Sequence, residues 1–540
     1  MAFAVNNKAA DKATAPIDVL VIGAGISGIY QLYKLAQTDL TFRAVEAGDG
    51  VGGTWYWNRY PGARFDSESY TYAYFFSKEL AQDWRWSEHF AGQPEIERYL
   101  NTVVDRFDLR RHITFEVRVV SATWSEADRA WTTVLSDGST IRSRFVVTAI
   151  GILSAPQFPN VPGLDDFQGE SYHTGLWPKH EVDFTGKRVA VIGTGSSGVQ
   201  VISAIAEQVA SLTVYQRTPN WCTPLNNSPI TAEEQQRLTT SFDEMHAQLM
   251  GSFAGFVHSF SPEDPTTLTP EQRREYWETL LAAPGFAKFL GNYMEVMTDK
   301  DFNAEFSAFL ETKIRARVKD QAVADKLVPD HGYGVKRPPF ETNYYEVYNL
   351  PHVSLVDMRE TPMERVTARG IVTSEGEREF DIIVYASGFD AITGAFDRID
   401  ITGSDGTLKD YWAEGPHTVA GAASPGFPNL FFLVGPHSSG GNVPRISERQ
   451  CDFVNDVISE GLRRGATRIE ASSEAEAAWT AHVYELNQGT LGAQAALDYT
   501  YGVNTPGKTV TFRHYDGGLI GLTAKHAEIV ADEFAAFDFS

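Results

Sequence analysis

The chain has 540 residues, 43% of them hydrophobic and 21% charged, an ordinary globular composition with room for several structural units, which excludes wholesale disorder. A formal net charge of -24 argues against nucleic acid or an anionic membrane surface as partner, because such surfaces need an excess of Lys and Arg. The cysteines, Cys222 and Cys451, form neither a C-x-x-C pair nor a metal-ligand spacing, which excludes thiol-pair redox chemistry and suits a reducing cytoplasm.

Residues 1–16 are polar and Ala-rich without an apolar core and read as a loose tail rather than a signal peptide. No apolar run reaches membrane-spanning length. The apolar run 19–22 predicts a buried parallel strand, followed by Gly23, Gly25, Ser27 and Gly28 in G-x-G-x-x-G spacing and by a helix with Ile26, Ile29, Tyr30 and Tyr33 on one face. The next strand, over 41–45, ends at Glu46. In such a unit the first glycine allows the tight turn, the second lets backbone approach a pyrophosphate, the third lets helix and strand pack, and the acid accepts from ribose hydroxyls. All the parts stand in register, so this is a dinucleotide-binding fold rather than a chance glycine motif.

A strand over 145–147 leads to Gly151 and another over 382–384 leads to Gly388; both read as returns to the base of a nucleotide site, with domain crossings at the two glycines. Between them stands a second copy of the fingerprint: strand 188–192, then Gly193, Thr194, Gly195, Ser196, Ser197 and Gly198, a helix, and a strand over 212–215 ending at Gln216. Here the acid is absent and Arg217 follows at once, so the site suits the 2'-phosphate of NADPH better than NADH. Charged and aromatic amphipathic segments over 228–328 predict a mainly helical insertion. A strand over 430–434 is expected to complete the first sheet. The fold class is therefore α/β, with two Rossmann-like dinucleotide-binding domains. The expected division is a tail (1–16), a discontinuous first domain (17–151 and 388–540), a second (152–227 and 329–387) and the helical insertion (228–328).

Three further stretches carry motifs. Residues 52–66 fit G-G-x-W-x-x-x-x-[FY]-P-G-x-x-x-D through Gly52, Gly53, Trp55, Tyr60, Pro61, Gly62 and Asp66. Residues 167–178 fit F-x-G-x-x-x-H-T-x-x-W-P through Phe167, Gly169, His173, Thr174, Trp177 and Pro178; as a linker between the folds they serve either as a rigid hinge or as part of the site. Residues 334–338 set Lys336 beside Arg337 in a loop bounded by glycine and proline. Together with the two fingerprints in this order, these motifs resemble type I Baeyer-Villiger monooxygenases over nearly the whole chain.

The resemblance implies FAD, NADPH, dioxygen and a small ketone, cyclic or otherwise apolar, that becomes an ester or lactone after oxygen adds at the flavin C4a position. It implies FAD contacts at Gly23, Gly25, Ser27, Gly28, Glu46, Gly53, Thr54, Trp55, Trp57, Asp66 and Tyr72. NADPH contacts are implied at Arg64, Thr194, Gly195, Ser196, Ser197, Gly198, Gln200, Arg217, Thr218, Lys336, Arg337 and Tyr499. Arg337 is implied to be the catalytic cation, oriented by Asp66, with Lys336 on the 2'-phosphate. Tyr499 stands where many members carry a tryptophan, and its hydroxyl donates with a different reach. The loop 436–446 is the expected place of ketone contacts, and its glycines suggest a mobile gate. The alternatives are a flavin monooxygenase acting on amine or thioether heteroatoms, and a non-catalytic flavoprotein. Serine-hydrolase and metalloenzyme chemistry have no motif here.

Overall fold

The computed structural model describes residues 15–438, 440–496 and 498–540. Residues 1–14 of the expected tail, and Ser439 of the expected ketone loop, lie outside them.

Two sheets carry the fold. The first has eight strands, with Ile17–Ile22 at its parallel centre between Phe42–Val45 and Thr140–Thr148. Ile113–Thr114 extends it beyond Phe42–Val45, and Leu430–Phe432 joins Thr140–Thr148 from far along the chain. An antiparallel run through Ala130–Leu135 and Val119–Ser125 continues it to Asp400–Thr402. Val19, Leu20 and Val21 have no exposed surface, which explains the unbroken apolar run: a parallel strand is covered on both faces. The strand expected over 430–434 stops at Phe432. Val434 takes a left-handed φ of 50°, and its N–H donates to Gln450 Oε1 instead of a strand partner.

The second sheet is wholly parallel, in the order Val353–Asp357, Ser211–Gln216, Arg188–Ile192, Ile382–Tyr385, Glu170–His173. The stretch 167–178 is thus more than a linker, since Glu170–His173 is an edge strand and Thr174–Leu176 a turn of 3-10 helix. Both glycine turns obey the same sterics. A Cβ on Gly23 (φ +104°) would stand 2.5 Å from Ala149 O, and one on Gly28 would stand 2.0 Å from Gly23 O. Gly193 and Gly198 repeat this against Ala386 O and Gly193 O at 2.4 and 2.1 Å. The returning strands therefore close each turn from beneath.

The insertion is helical as expected, through Ala232–Thr240, Phe242–Gly251, Pro270–Ala282, Lys300–Arg317 and Gln321–Leu327, with short turns at Ala287–Leu290 and Glu295–Thr298. Thr269 and Gln272 form a capping box at the start of Pro270–Ala282. Phe306, Phe309 and Ile314 pack with Trp277 in the core of the second sheet, so the insertion is anchored there. The helix Val443–Arg464 carries Pro444 in its first turn and ends at left-handed Gly465. It lies along Ile26–Leu35, joined by a 2.8 Å hydrogen bond between the Ser27 and Ser447 hydroxyls and by Tyr30 OH donating to Asp452 at 3.1 Å. Among the described residues, no helix is long and apolar enough to cross a membrane.

His526 is 6% exposed, stacked on Phe453 at 4.0 Å and bonded through Nε2 to Ala420 O, and burial pushes its pKa down to about 4. The folded state keeps it neutral while the unfolded chain takes up a proton near pH 6.5. Its contribution is therefore present above 6.5 and is lost as pH falls toward 4, by about 1.4 kcal/mol per pH unit. In urea unfolding, the destabilisation of His526→Asn relative to the parent is expected to shrink by about that slope between pH 6.5 and 4; a constant difference would refute the assignment.

Candidate active site

A cavity of about 1800 Å³ lies where the two glycine turns, the insertion and the C-terminal loops meet. Gly23, Gly25, Ser27, Glu46, Gly53, Thr54, Trp55, Trp57, Asp66 and Tyr72 line it from the first fold. Arg64 lines it from the first fold as well, and His173, Ser196, Gln200, Arg337 and Tyr499 line it from elsewhere. Gly28 does not; it packs beneath the turn.

Arg337 and Asp66 are brought together from 271 positions apart: Nη2 donates to both Asp66 oxygens at 2.8 Å. Nη1 donates to Ser196 Oγ at 3.2 Å, at the start of the second fold's helix, so one guanidinium spans both folds. Its face lies 5.6 Å from the centroid of Phe286, and its backbone N–H donates to Asp498 Oδ2 at 3.1 Å. Burial opposes the charge, but the carboxylates of Asp66 and, beyond it, Asp498 hold the guanidinium above its ordinary range. Burial, reinforced by Asp498, raises the Tyr499 phenol to about 12, so it is a neutral donor at physiological pH. The Arg337 fork is thus permanently cationic and oriented on one side, and its remaining N–H groups, which bond to none of the described residues, can meet an anion in the cavity.

Around the first turn, Glu46 is 6% exposed and already accepts from Ala24 N and Gly48 N, both at 2.8 Å. Burial raises its pKa while these donors lower it. A Cβ on Gly25 would stand 3.3 Å from Gly53 Cα, so two glycines meet back to back under the cavity floor. Trp55 Nε1 donates to Tyr72 OH at 3.3 Å, a pair that walls the same floor.

Around the second turn, nothing lies within 4 Å of where a Cβ on Gly195 would stand, which leaves the helix N-terminus open to close approach. Thr194 Oγ1 donates to Thr218 O at 3.3 Å. Thr194, Gly195, Ser197, Gly198, Arg217, Thr218 and Lys336 are not on the wall of the large cavity; residues 194–198 form the second turn and its helix start, Arg217 and Thr218 follow the next strand, and Lys336 lies beside Arg217. Lys336 is pushed down by burial and by Arg217 beside it, and neither makes an ion pair among the described residues. Two adjacent unpaired cations suit a phosphate. Gln216, in the place of the ribose-binding acid, points away: its amide donates to Lys326 O at 2.7 Å in the insertion. Arg64, expected on the nucleotide, is held by Glu88 at 3.1 Å and Phe90 O at 3.2 Å, and Gln200 binds Arg64 O at 3.0 Å and Tyr60 OH at 2.9 Å. The residues present thus fit two dinucleotides, one at each turn.

His173 is 3% exposed, with Nδ1 accepting from Gly175 N at 3.0 Å and Nε2 facing Gln157 O at 3.3 Å. Burial lowers it to about 4, so it is neutral and its proton sits on Nε2. Gln157 in turn binds Asn504 O at 2.7 Å, Thr505 at 3.0 Å and Ser387 at 2.6 Å. His173 therefore ties both crossings to the C-terminal loop. Trp177 N donates to Trp57 O at 3.3 Å, the Phe167 ring packs on Gly169, Thr174 is fully buried and Pro178 is partly buried beside them. Asp498 and Phe286 were not singled out from the sequence. Asp498 adjoins the flagged Tyr499, whereas Phe286 lies in a helical segment without a motif.

A family model described as pyridine nucleotide-disulphide oxidoreductase matches residues 20–278. The 2-oxo-Δ3-4,5,5-trimethylcyclopentenylacetyl-CoA monooxygenase of Pseudomonas putida is 43% identical, over 94% of this chain and 96% of its own. A Baeyer-Villiger monooxygenase of Pseudooceanicola batsensis is 38% identical, over 94% of this chain and 93% of its own. The crystal structure of OTEMO in complex with FAD and NADP superposes with a TM-score of 0.94 at 41% identity, covering 98% of this chain and all (100%) of that one. With similarity of this extent over nearly the full length of these relatives, and with the motifs of residues 52–66 and 167–178 in place, the chain belongs to the Baeyer-Villiger monooxygenase family.

Proposed function

We propose that the protein is an FAD- and NADPH-dependent Baeyer-Villiger monooxygenase that inserts one oxygen atom of O2 beside the carbonyl of an apolar ketone, giving an ester or lactone. The observation that carries this is the Arg337 fork, fixed by Asp66 at 2.8 Å and open to the cavity between both folds. The residues of the first turn would hold FAD and those of the second turn NADPH, which when bound would supply the oxygen-activating chemistry and its reducing equivalents. The chain's own part is electrostatic. Arg337 stabilises the negative charge that develops on the ketone oxygen and on the attacking oxygen, a role worth about 3 to 4 kcal/mol for one preorganised donor. Asp66 orients the fork, Tyr499 donates beside it, and Arg217 with Lys336 holds the 2'-phosphate.

The proposed division follows the sheets: a discontinuous FAD domain (17–151 and 388–540), an NADPH domain (152–227 and 329–387) and the helical insertion (228–328). The apolar wall contributed by Phe256, Phe286, Phe289, Leu290 and Met297 suits a neutral ketone. Oxidation of amine or thioether heteroatoms is the less favoured reading. A cytoplasmic location fits Cys222 and Cys451, both buried and free.

The test is oxygen uptake by the yellow, FAD-loaded protein with NADPH. Uptake is expected to rise with added cyclic or aryl ketones in step with ester formation. Uptake indifferent to every ketone would reject the proposal.

A further inference from the structure

The large cavity has a polar end that the proposed oxygenation does not use. Asn487, near the end of the helix Ser473–Gln488, is 6% exposed, and its Nδ2 donates to Asp516 Oδ2 and to Tyr501 OH, both at 2.8 Å. These three side chains line the cavity together with His514. Asp516 Oδ1 and the ring nitrogens of His514 make no hydrogen bond among the described residues, so they present an acceptor and an imidazole to the interior. Burial holds His514 below its ordinary range, against the pull of Asp516 and Asp498, and the ring is therefore neutral at physiological pH, with one N–H donor and one acceptor.

Contacts along one wall join this end to Arg337. Phe286 lies 5.6 Å from the guanidinium, and Phe256 stacks on Phe286 at 4.7 Å. Two residues before Phe256, Ala254 O meets the loop 436–446: Asn442 N donates to it at 2.9 Å, and a Cβ on Gly441 would stand 2.3 Å from it. The preceding residue of that loop, Gly440, lies against His514, where a Cβ would stand 2.0 Å from Cε1. Phe253 O accepts from Leu519 N at 2.6 Å, a short way past Asp516. The cavity opens on this side, since Leu486, beside Asn487, and Met294 of the insertion both line it and are 38% and 41% exposed. A ketone with its carbonyl at Arg337 that extends along Phe286 and Phe256 thus ends at His514 and Asp516.

We propose that Asp516 and His514 form a subsite for a hydroxyl group on the ketone, remote from the reacting carbonyl: the hydroxyl donates to Asp516 Oδ1 and accepts from the His514 ring, so that the preferred substrates are apolar ketones carrying a terminal alcohol. A hydroxyl both donates and accepts, which matches this pair. A bare hydrocarbon placed here leaves the carboxylate shielded from water without a donor, the kind of mismatch by which a polar subsite rejects an analogue lacking the group. A carboxylate on the substrate would meet Asp516 and Asp498, both on the cavity wall. An ammonium would have to give up its water beside Phe253 and Phe260, whose rings lie 6.3 Å apart on the same cavity. The inference deepens the proposed oxygenation and rests on Arg337 as the place of the carbonyl.

The test measures binding by isothermal titration calorimetry to the protein loaded with FAD and NADP+. The probes are acetophenones with a para hydroxyalkyl chain of one to four carbons, their methyl ethers and the matching carboxylic acids. At the best chain length the alcohol is expected to bind about tenfold more tightly than its ether, which lacks the donor, and the acid is expected to bind more weakly than the alcohol. In Asp516→Ala the advantage of alcohol over ether is expected to fall to about threefold or less. Alcohols that bind no better than their ethers at every chain length, an advantage that persists in Asp516→Ala, or acids that bind more tightly than the alcohols would overturn the inference. If Asp516→Ala does not fold, the same comparison in His514→Phe decides in its place. Binding needs no turnover, so an alcohol preference in a protein that makes ester from no member of the series would sink the function proposed above and leave the subsite standing.

Discussion

Arg337→Ala is expected to lose ketone oxygenation by about 10²- to 10³-fold in kcat, the range for removal of one preorganised donor at a developing oxyanion. FAD should remain bound, because its proposed contacts at Gly23, Gly25, Glu46 and Gly53 belong to the other fold. Hydride transfer from NADPH should persist, although weakened by loss of the Arg337 bond to Ser196. The diagnostic is the split: anaerobic bleaching of the flavin that persists, slowed far less than oxygenation, with aerobic product all but absent. Arg337→Lys keeps the charge but has one nitrogen and cannot span Asp66 and Ser196 as the guanidinium does, so it should recover only part of the loss. Product formation near the parent level in Arg337→Ala would remove the central element of the mechanism.

The second large effect concerns the reductant. Replacing Arg217 and Lys336 together by alanine removes two cations that make no ion pair among the described residues. Charge-assisted hydrogen bonds contribute roughly 1.5 kcal/mol or more each, so KM for NADPH should rise by about 10²-fold. KM for NADH, which has no 2'-phosphate, should change little. An equal loss for both would mean that these residues shape the fold rather than read the phosphate.

Much of the framework was legible because it is local. The glycine turns are forced by contacts within each βαβ unit, where a Cβ on Gly28 would collide with Gly23 O at 2.0 Å, so spacing along the chain carries the geometry. The absent acid at Gln216 was also legible, although not its turn toward Lys326 O, which depends on the insertion. The site is a different matter, since Asp66 and Arg337 meet across 271 positions and no periodicity links them; resemblance to a family named them. Arg64 lines the cavity, and its guanidinium is held there by Glu88, a partner outside any motif that the resemblance did not name. Phe286 lies in a short turn whose apolar run looks like core, and only its tertiary contact with Arg337 sets it apart. The end of the strand at Phe432 was missed because apolar patterning cannot register the left-handed turn at Val434.

The most direct measurement of the central claim is isotopic. The FAD-loaded protein, NADPH and a symmetrical cyclic ketone react under 18O2, and the product is analysed by mass spectrometry. One labelled atom in the single-bonded ester oxygen of the lactone, with the carbonyl oxygen unlabelled, is the predicted result. NADPH consumed with all label in hydrogen peroxide, for this ketone and for larger and aryl ketones alike, would contradict the account.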